Sequence, residues 1–256
     1  MKVVNYSFQL VLANHERMLL MVSARLKRYM NTAITLGYQY RYKLLGIPAP
    51  RVHDPHRLWQ HRGTFWMQEM LRADPRVTAD HQRMSDLFVE ELGQVSFQRL
   101  LDVGCGYGQR LKPLRAAFPY KTLVGIDFSD SMLHNALVYL DGRLAPLFQA
   151  DATKMPFVDH SFDAAITWSV LNTMPPEMMR GTLREVRRVM RGVFIAMEED
   201  AQRDTEKSRE EHALGQWFFA HDYEAEFAEA GFRLLKVYTL EDLRIMRYTV
   251  FVAESP

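Results

Sequence analysis

Only one cysteine, Cys105, occurs among the 256 residues. That excludes an internal disulfide and any metal site built on several thiolates, and it fits a reducing compartment. No apolar run approaches the roughly 18 residues that a spanning helix needs. The stretch from Met1 to Leu20 is broken by Asn5, Ser7, Gln9, Asn14 and Glu16, which argues against a signal peptide. The expected location is therefore cytoplasmic. Repeats and low-complexity tracts are also missing. Net charge is nearly absent at +1, yet it is unevenly spread: residues 1–80 carry twelve Lys and Arg against five Asp and Glu. The remainder carries twenty against twenty-six. Either the two parts attract each other, or the basic part meets an anionic partner.

What is present is enough apolar content, 48% of residues, for one large core. The stretch that organises it is Arg99-Leu-Leu-Asp102-Val-Gly104-Cys105-Gly106-Tyr-Gly108. An apolar run of strand length meets three alternate glycines, and Leu111, Leu114, Ala117 and Phe118 then set a helical pattern. A strand, a tight turn and a helix start let backbone approach a ligand, because a Cβ would fill the space the ligand takes. The third glycine falls four residues after the first; a dinucleotide fingerprint would place it at Gln109. Asp102, two residues before Gly104, would repel a pyrophosphate and can hold an ammonium group. The implied ligand is cationic at that end and carries no phosphate.

Asp102-Val-Gly104-Cys105-Gly106-Tyr-Gly108, Val124-Gly-Ile-Asp127-Phe128-Ser129, Asp151-Ala152 with Met155-Pro-Phe157, and Ser161-Phe-Asp-Ala-Ala-Ile166 occur in that order. With these four motifs, residues 97 to 255 resemble the class I S-adenosylmethionine-dependent methyltransferases, particularly the type 11 methyltransferase-domain group. The resemblance implies S-adenosyl-L-methionine as donor, S-adenosyl-L-homocysteine as product, and methyl transfer to a small or lipophilic acceptor. An RNA- or protein-directed methyltransferase using the basic N-terminal region, and a non-catalytic binding protein, are the alternatives. Nucleic acid is the less favoured partner, peripheral membrane contact is open, and the sequence leaves oligomeric state undetermined.

Asp127 ends a strand about twenty residues after the glycine turn, where a carboxylate can accept from a ribose diol or cap the next helix. The resemblance favours the ribose. Phe128 and Met132 then flank the adenine or pack in the core. By resemblance, Asp151 accepts from the adenine amino group, the N–H of Ala152 donates to a ring nitrogen, and Trp168 and Ser169 line the methionine end. Asn172 and Thr173 stand where many relatives have histidines, which removes an obvious base. His53, His56, His61, His221 and Tyr223 are the remaining base candidates. His221-Asp222-Tyr223 also suits a helix entry. Trp59, His61, Phe65 and Trp66 form a candidate substrate cap, with Asn172 and Trp217 beside it. The histidine spacing has no companion carboxylate or cysteine, so no metal site is expected.

Strands are expected near 99–104, 122–127, 146–150, 162–169, 193–198, 232–240 and 248–253, with helices over 80–92, 130–140, 176–190 and 222–230. Short apolar runs alternating with helices make a doubly wound, mostly parallel sheet covered on both faces. The fold class is α/β: a seven-stranded Rossmann-like sheet with an antiparallel last strand, plus a helical N-terminal extension. The extension is set at residues 1–95 and the S-adenosylmethionine-binding domain at 96–256. Within the extension, 14–36 reads as an amphipathic helix. Tyr38-Gln-Tyr-Arg-Tyr-Lys43 interleaves aromatic and basic groups, suiting nucleic acid, an anionic surface or plain helix packing. The charged stretch from Glu198 to Glu211 is expected to be mostly solvated.

Overall fold

Strands that are covered on both faces leave no room for polar alternation, and their near-continuous apolar runs place them in a parallel sheet. The computed structural model bears this out; it describes residues 59, 60, 63, 66–68, 70–72, 75–142, 145–199, 219, 221–241, 243 and 248–255. The amphipathic pattern over 14–36, the Tyr38–Lys43 patch, His53, His56, His61, Phe65 and Trp217 lie outside the described residues.

The sheet is built from β1 (Arg99–Val103), β2 (Thr122–Asp127), β3 (Leu147–Gln149), β4 (Phe162–Trp168), β5 (Met190–Glu199), β6 (Arg233–Leu240) and β7 (Tyr248–Ser255). Their order is β3-β2-β1-β4-β5-β7-β6. The first five pair in parallel, while β7 runs antiparallel between β5 and β6. The chain winds outward from β1 through β3 and then returns to place β4 on the other side of β1. That reversal opens a crevice beyond the carboxyl ends of β1 and β4.

Among the described residues, the sheet is clothed by α1 (Pro75–Gly93), α2 (Leu111–Ala117), α3 (Asp130–Tyr139), α4 (Pro176–Val189) and α5 (Tyr223–Glu229). Successive side chains of a strand point to opposite faces. Leu100 and Leu101 accordingly enter different cores. Leu100, Leu123 and Ile166 pack with Met84 and Phe88 of α1, Leu111 of α2 and Leu140. Leu101, Val124 and Ala165 pack with Leu183 and Val186 of α4 and Phe227 of α5. Ser129 caps α3, its side chain accepting from the Met132 N–H. Asp222 does the same for α5 through the Ala225 N–H.

Two local expectations need correction. Strand β5 starts at Met190, three residues early, because the ladder with β4 shifts register between Phe162 and Ala164. Gly192 sits at φ +107° over the Asp163 carbonyl, so this is a bulge rather than a loop. Glu198 and Glu199 are not solvated either: both belong to β5 and are buried.

Helix α1 shares the core of the sheet, so Phe88→Ala should destabilise the full chain by about 3–5 kcal/mol. Urea unfolding would measure it, and a loss below about 1 kcal/mol would detach α1 from the cooperative core.

Candidate functional site

The turn after β1 uses its three glycines in two different ways. All have positive φ: +70° at Gly104, +54° at Gly106 and +82° at Gly108. A Cβ on Gly104 would meet Val170 Cγ2 at 2.6 Å, and one on Gly108 would meet Leu140 Cδ1 at 2.7 Å. Those two are required by packing. A Cβ on Gly106 would find only Met132 Sδ, at 3.9 Å. Of the three, Gly106 alone has room for a Cβ without a clash.

Asp127 closes β2 beside this turn. Its Oδ2 accepts from the Gly106 N–H and its Oδ1 from the Ser129 N–H, both at 2.9 Å. Because Ser129 is the helix cap, Asp127 is not needed for that work; the Phe128 N–H also interacts favourably with its carboxylate. Burial pushes its pKa up to about 6 against those backbone hydrogen bonds. Met132 packs in the core below, and Phe128 is half-buried.

Asp102, in β1, is 3% exposed, and its Oδ2 has no hydrogen-bond partner. Burial raises its pKa to about 7; Arg110 opposes that rise and Asp127 adds to it. Cys105 is buried too, its thiol held well above the ordinary range by desolvation and the two aspartates, so no thiolate nucleophile forms. Arg110, directly before α2, was given no role by the sequence. It is 3% exposed, its guanidinium carbon 3.5 Å from the centroid of the Trp168 ring. Its Nη1 donates to the His81 carbonyl at 3.0 Å and to the Ser85 hydroxyl. His81 and Ser85, four apart on α1, continue the buried stripe of Phe88 and Leu92 with polar groups. That was the available signal.

Ser169 follows Trp168 at φ +52°, its hydroxyl 2.8 Å from the Tyr248 hydroxyl. The next turn is held from below by Glu198, fully buried, whose Oε2 accepts from the N–H groups of Val170 at 3.0 Å and Asn172 at 3.1 Å. Burial lifts that carboxyl to about 7 against these bonds. The Asn172 side chain is buried with both amide atoms unpartnered, while the backbone carbonyl of Asn172 accepts from the Phe219 N–H. His221 is buried nearby, its Nε2 3.0 Å from the Met174 carbonyl; desolvation lowers its pKa and keeps the ring neutral. Tyr223 lies in the core beside Phe251.

Asp151 is exposed, and its Oδ1 accepts from the Thr153 N–H at 2.8 Å and hydroxyl at 2.7 Å, a local turn bond. Ala152 is half-buried against the core of α4 and α5. Trp59 and Trp66 meet edge to face at 5.8 Å. Their segment is tied to the start of α3: the Trp59 carbonyl accepts from Ser129, that of Gln60 from Ser131 and that of Gly63 from Asn135. The structure thus gathers Asp102, Gly106, Asp127, Trp168 and Ser169 around the strand ends, with Trp59 and Trp66 beside α3. No cluster of metal-ligating side chains occurs among the described residues.

Residues 100–192 match the family model described as a methyltransferase domain. A demethylmenaquinone methyltransferase of Roseiflexus sp. (strain RS-1) is 36% identical over 125 residues, 47% of this chain and 49% of that protein. A malonyl-[acyl-carrier protein] O-methyltransferase of Legionella pneumophila is 32% identical over 48% of this chain and 46% of that protein. The chain thus spans about half the length of these curated relatives. Among solved structures, the magnesium protoporphyrin IX methyltransferase of Synechocystis PCC 6803 with bound SAM superposes with a TM-score of 0.63. It is 16% identical, over 81% of this chain and all of that one, a likeness of fold.

Asp102 binds its proton more tightly in the folded chain than in the unfolded one. Its contribution to stability is therefore complete below about pH 4 and is lost as pH rises through about 7. Asp102→Asn should gain on wild type by up to a few kcal/mol between about pH 4.5 and pH 7.5. Thermal unfolding of the unliganded pair tests this; a pH-independent difference would refute it.

Proposed function

We propose that this chain, which carries a class I S-adenosylmethionine-dependent methyltransferase domain, moves a methyl group from S-adenosylmethionine to a small lipophilic acceptor. The observation that carries the reading is the pairing of Gly106, open where its neighbours are packed, with Asp127 beside it. A sugar diol suits a carboxylate at a strand tip, which can accept from both hydroxyls, and the bare glycine lets that sugar come close. The unpartnered Oδ2 of Asp102 suits an ammonium group on the same ligand. When bound, the donor supplies a methyl group already activated on a sulfonium.

The chain's own work is positioning. Holding the acceptor in line with the bond that breaks can contribute about 7–11 kcal/mol in favourable cases. Trp168 and Ser169 stand at the end of β4, where the methionine end would lie. The turn from Val170 to Asn172, held by Glu198, forms the adjoining wall toward the acceptor. Trp59 and Trp66 give the neighbouring segment an apolar face. The curated relatives' names, a demethylmenaquinone and a malonyl-carrier enzyme, support an acceptor of lipid character. The basic candidates among the described residues are few: His221 is neutral and bonded to backbone, and Asn172 offers hydrogen bonds without basicity. An acceptor that arrives already ionised, or loses its proton to water, suits this site best.

Asp127→Ala should weaken S-adenosylhomocysteine binding by about 10- to 100-fold, the worth of hydrogen bonds to a charged group. Gly106→Ala should weaken it at least about tenfold while costing only the 1–2 kcal/mol or so of a positive-φ alanine. Gly108→Ala should instead lose mainly stability. Calorimetry with a matching unfolding curve separates the three, and unaltered binding in Asp127→Ala would overturn the site. For the acceptor, labelled methyl should pass into an organic-extractable product from a panel of hydroquinones, sterols and thioester-bound acids. Label found only in RNA or protein would overturn the lipophilic reading.

A further inference from the structure

Charge of one sign runs unbroken through part of this chain. From Arg17 to His53, 37 residues hold seven Lys and Arg and no Asp or Glu. From Asp54 to Asp80 the two signs balance at four each. The whole basic excess of residues 1–80 thus lies between Arg17 and His53, outside the described residues.

Within that stretch the apolar groups are ordered. Leu19, Val22, Leu26, Tyr29, Ala33 and Leu36 recur at intervals of three and four, one stripe at helical spacing, and Arg17, Lys27 and Arg28 fall off it. Tyr38, Tyr40 and Tyr42 then alternate with Gln39, Arg41 and Lys43. The apolar runs are far too short to span a bilayer. The described residues that follow have a similar double character. Leu71 is 63% exposed beside exposed Arg72, and Trp59 and Trp66 are half-buried. An indole, apolar in body and polar at one end, suits the boundary between lipid and water.

A folded protein surface intersperses both signs, so packing against it leaves a run of like charge poorly matched. RNA would match the charge and stack on the tyrosines, yet leave the apolar stripe in water. An anionic bilayer takes both: its headgroups meet the basic groups, and its acyl boundary takes the stripe. We propose that residues 17–43 bind the surface of an anionic lipid bilayer and hold the chain there peripherally. The inference goes beyond the methyl-transfer reading and does not depend on it. Taken with that reading, it brings the domain to where a lipophilic acceptor concentrates.

The test sediments the full chain with vesicles of phosphatidylcholine alone, or of equal parts phosphatidylcholine and phosphatidylglycerol, with neither donor nor acceptor present. The anionic vesicles should bind at least about 100-fold more tightly than the neutral ones, and added salt should weaken them. Arg25→Gln, Lys27→Gln and Arg28→Gln together should weaken binding about 100-fold, each basic group near such a surface being worth about fivefold. Leu19→Gln with Leu26→Gln should abolish it, because the stripe no longer enters the acyl boundary. Should that pair not fold, the triple variant is read alone, and unaltered vesicle binding in it would overturn the proposal. Equal binding to both vesicles, or to neither, would also overturn it. Tighter binding to poly(U) RNA than to anionic vesicles, unaltered by Leu19→Gln with Leu26→Gln, would assign the stretch to nucleic acid instead. Loss of stability in that pair, with no vesicle binding by wild type, would assign it to packing within the chain.

Discussion

Carboxylates driven out of water at the ends of adjoining strands are the constraint on which this structure turns. A doubly wound sheet is dry on both faces, so an acid placed near a strand tip sits at the border of the core. Asp127 and Glu198 are held there by backbone N–H groups of the turns they support. Asp102 retains an unpartnered oxygen. The shared rise in their pKa values, to about 6 and about 7, is one desolvation cost expressed three times. A folded chain that keeps such a cost has either a structural return or a ligand to offset it. For Glu198 the return is structural, since it holds the turn from Val170 to Asn172. For Asp102 the ammonium group of the proposed donor would supply it.

The glycine turn links this electrostatic arrangement to packing. Gly104 lets the β1 turn close on Val170, which belongs to the turn Glu198 holds, and Gly108 lets α2 close on Leu140 after α3. The same short segment therefore sets the spacing of three strand ends and leaves one bare position at Gly106. On the proposed reading, ligand contact and core closure are divided among neighbouring glycines, so substitutions two residues apart act on different properties.

The elements were legible in the sequence because fully covered strands read as apolar runs between turn signals, and the order of four motifs located Asp102, Gly106 and Asp127. The start of β5 was not legible, because a bulge at Gly192 depends on where the Asp163 carbonyl lies, and that is a tertiary fact. Glu198 was hidden by its charged neighbours: an acid at the head of a polar run looks solvated until the strand pairing buries it. Arg110 was hidden for a related reason. A basic residue just before a first helical turn is ordinary by local rules, and its burial is decided by α1 and Trp168 folding over it. His81 and Ser85 did leave a trace, as polar residues on the stripe that also carries Phe88 and Leu92.

Proton release on ligand binding tests the central claim most directly. If a cationic, diol-bearing ligand settles against Asp102 and Asp127, it favours their ionised forms and expels protons that they hold near neutral pH. Titrating the full chain with S-adenosylhomocysteine at about pH 7, in two buffers of different ionisation enthalpy, counts those protons. The account predicts a net release of a substantial fraction of a proton per ligand, fading by about pH 8.5. Binding without release, or with uptake, would show that these carboxylates do not receive the ligand.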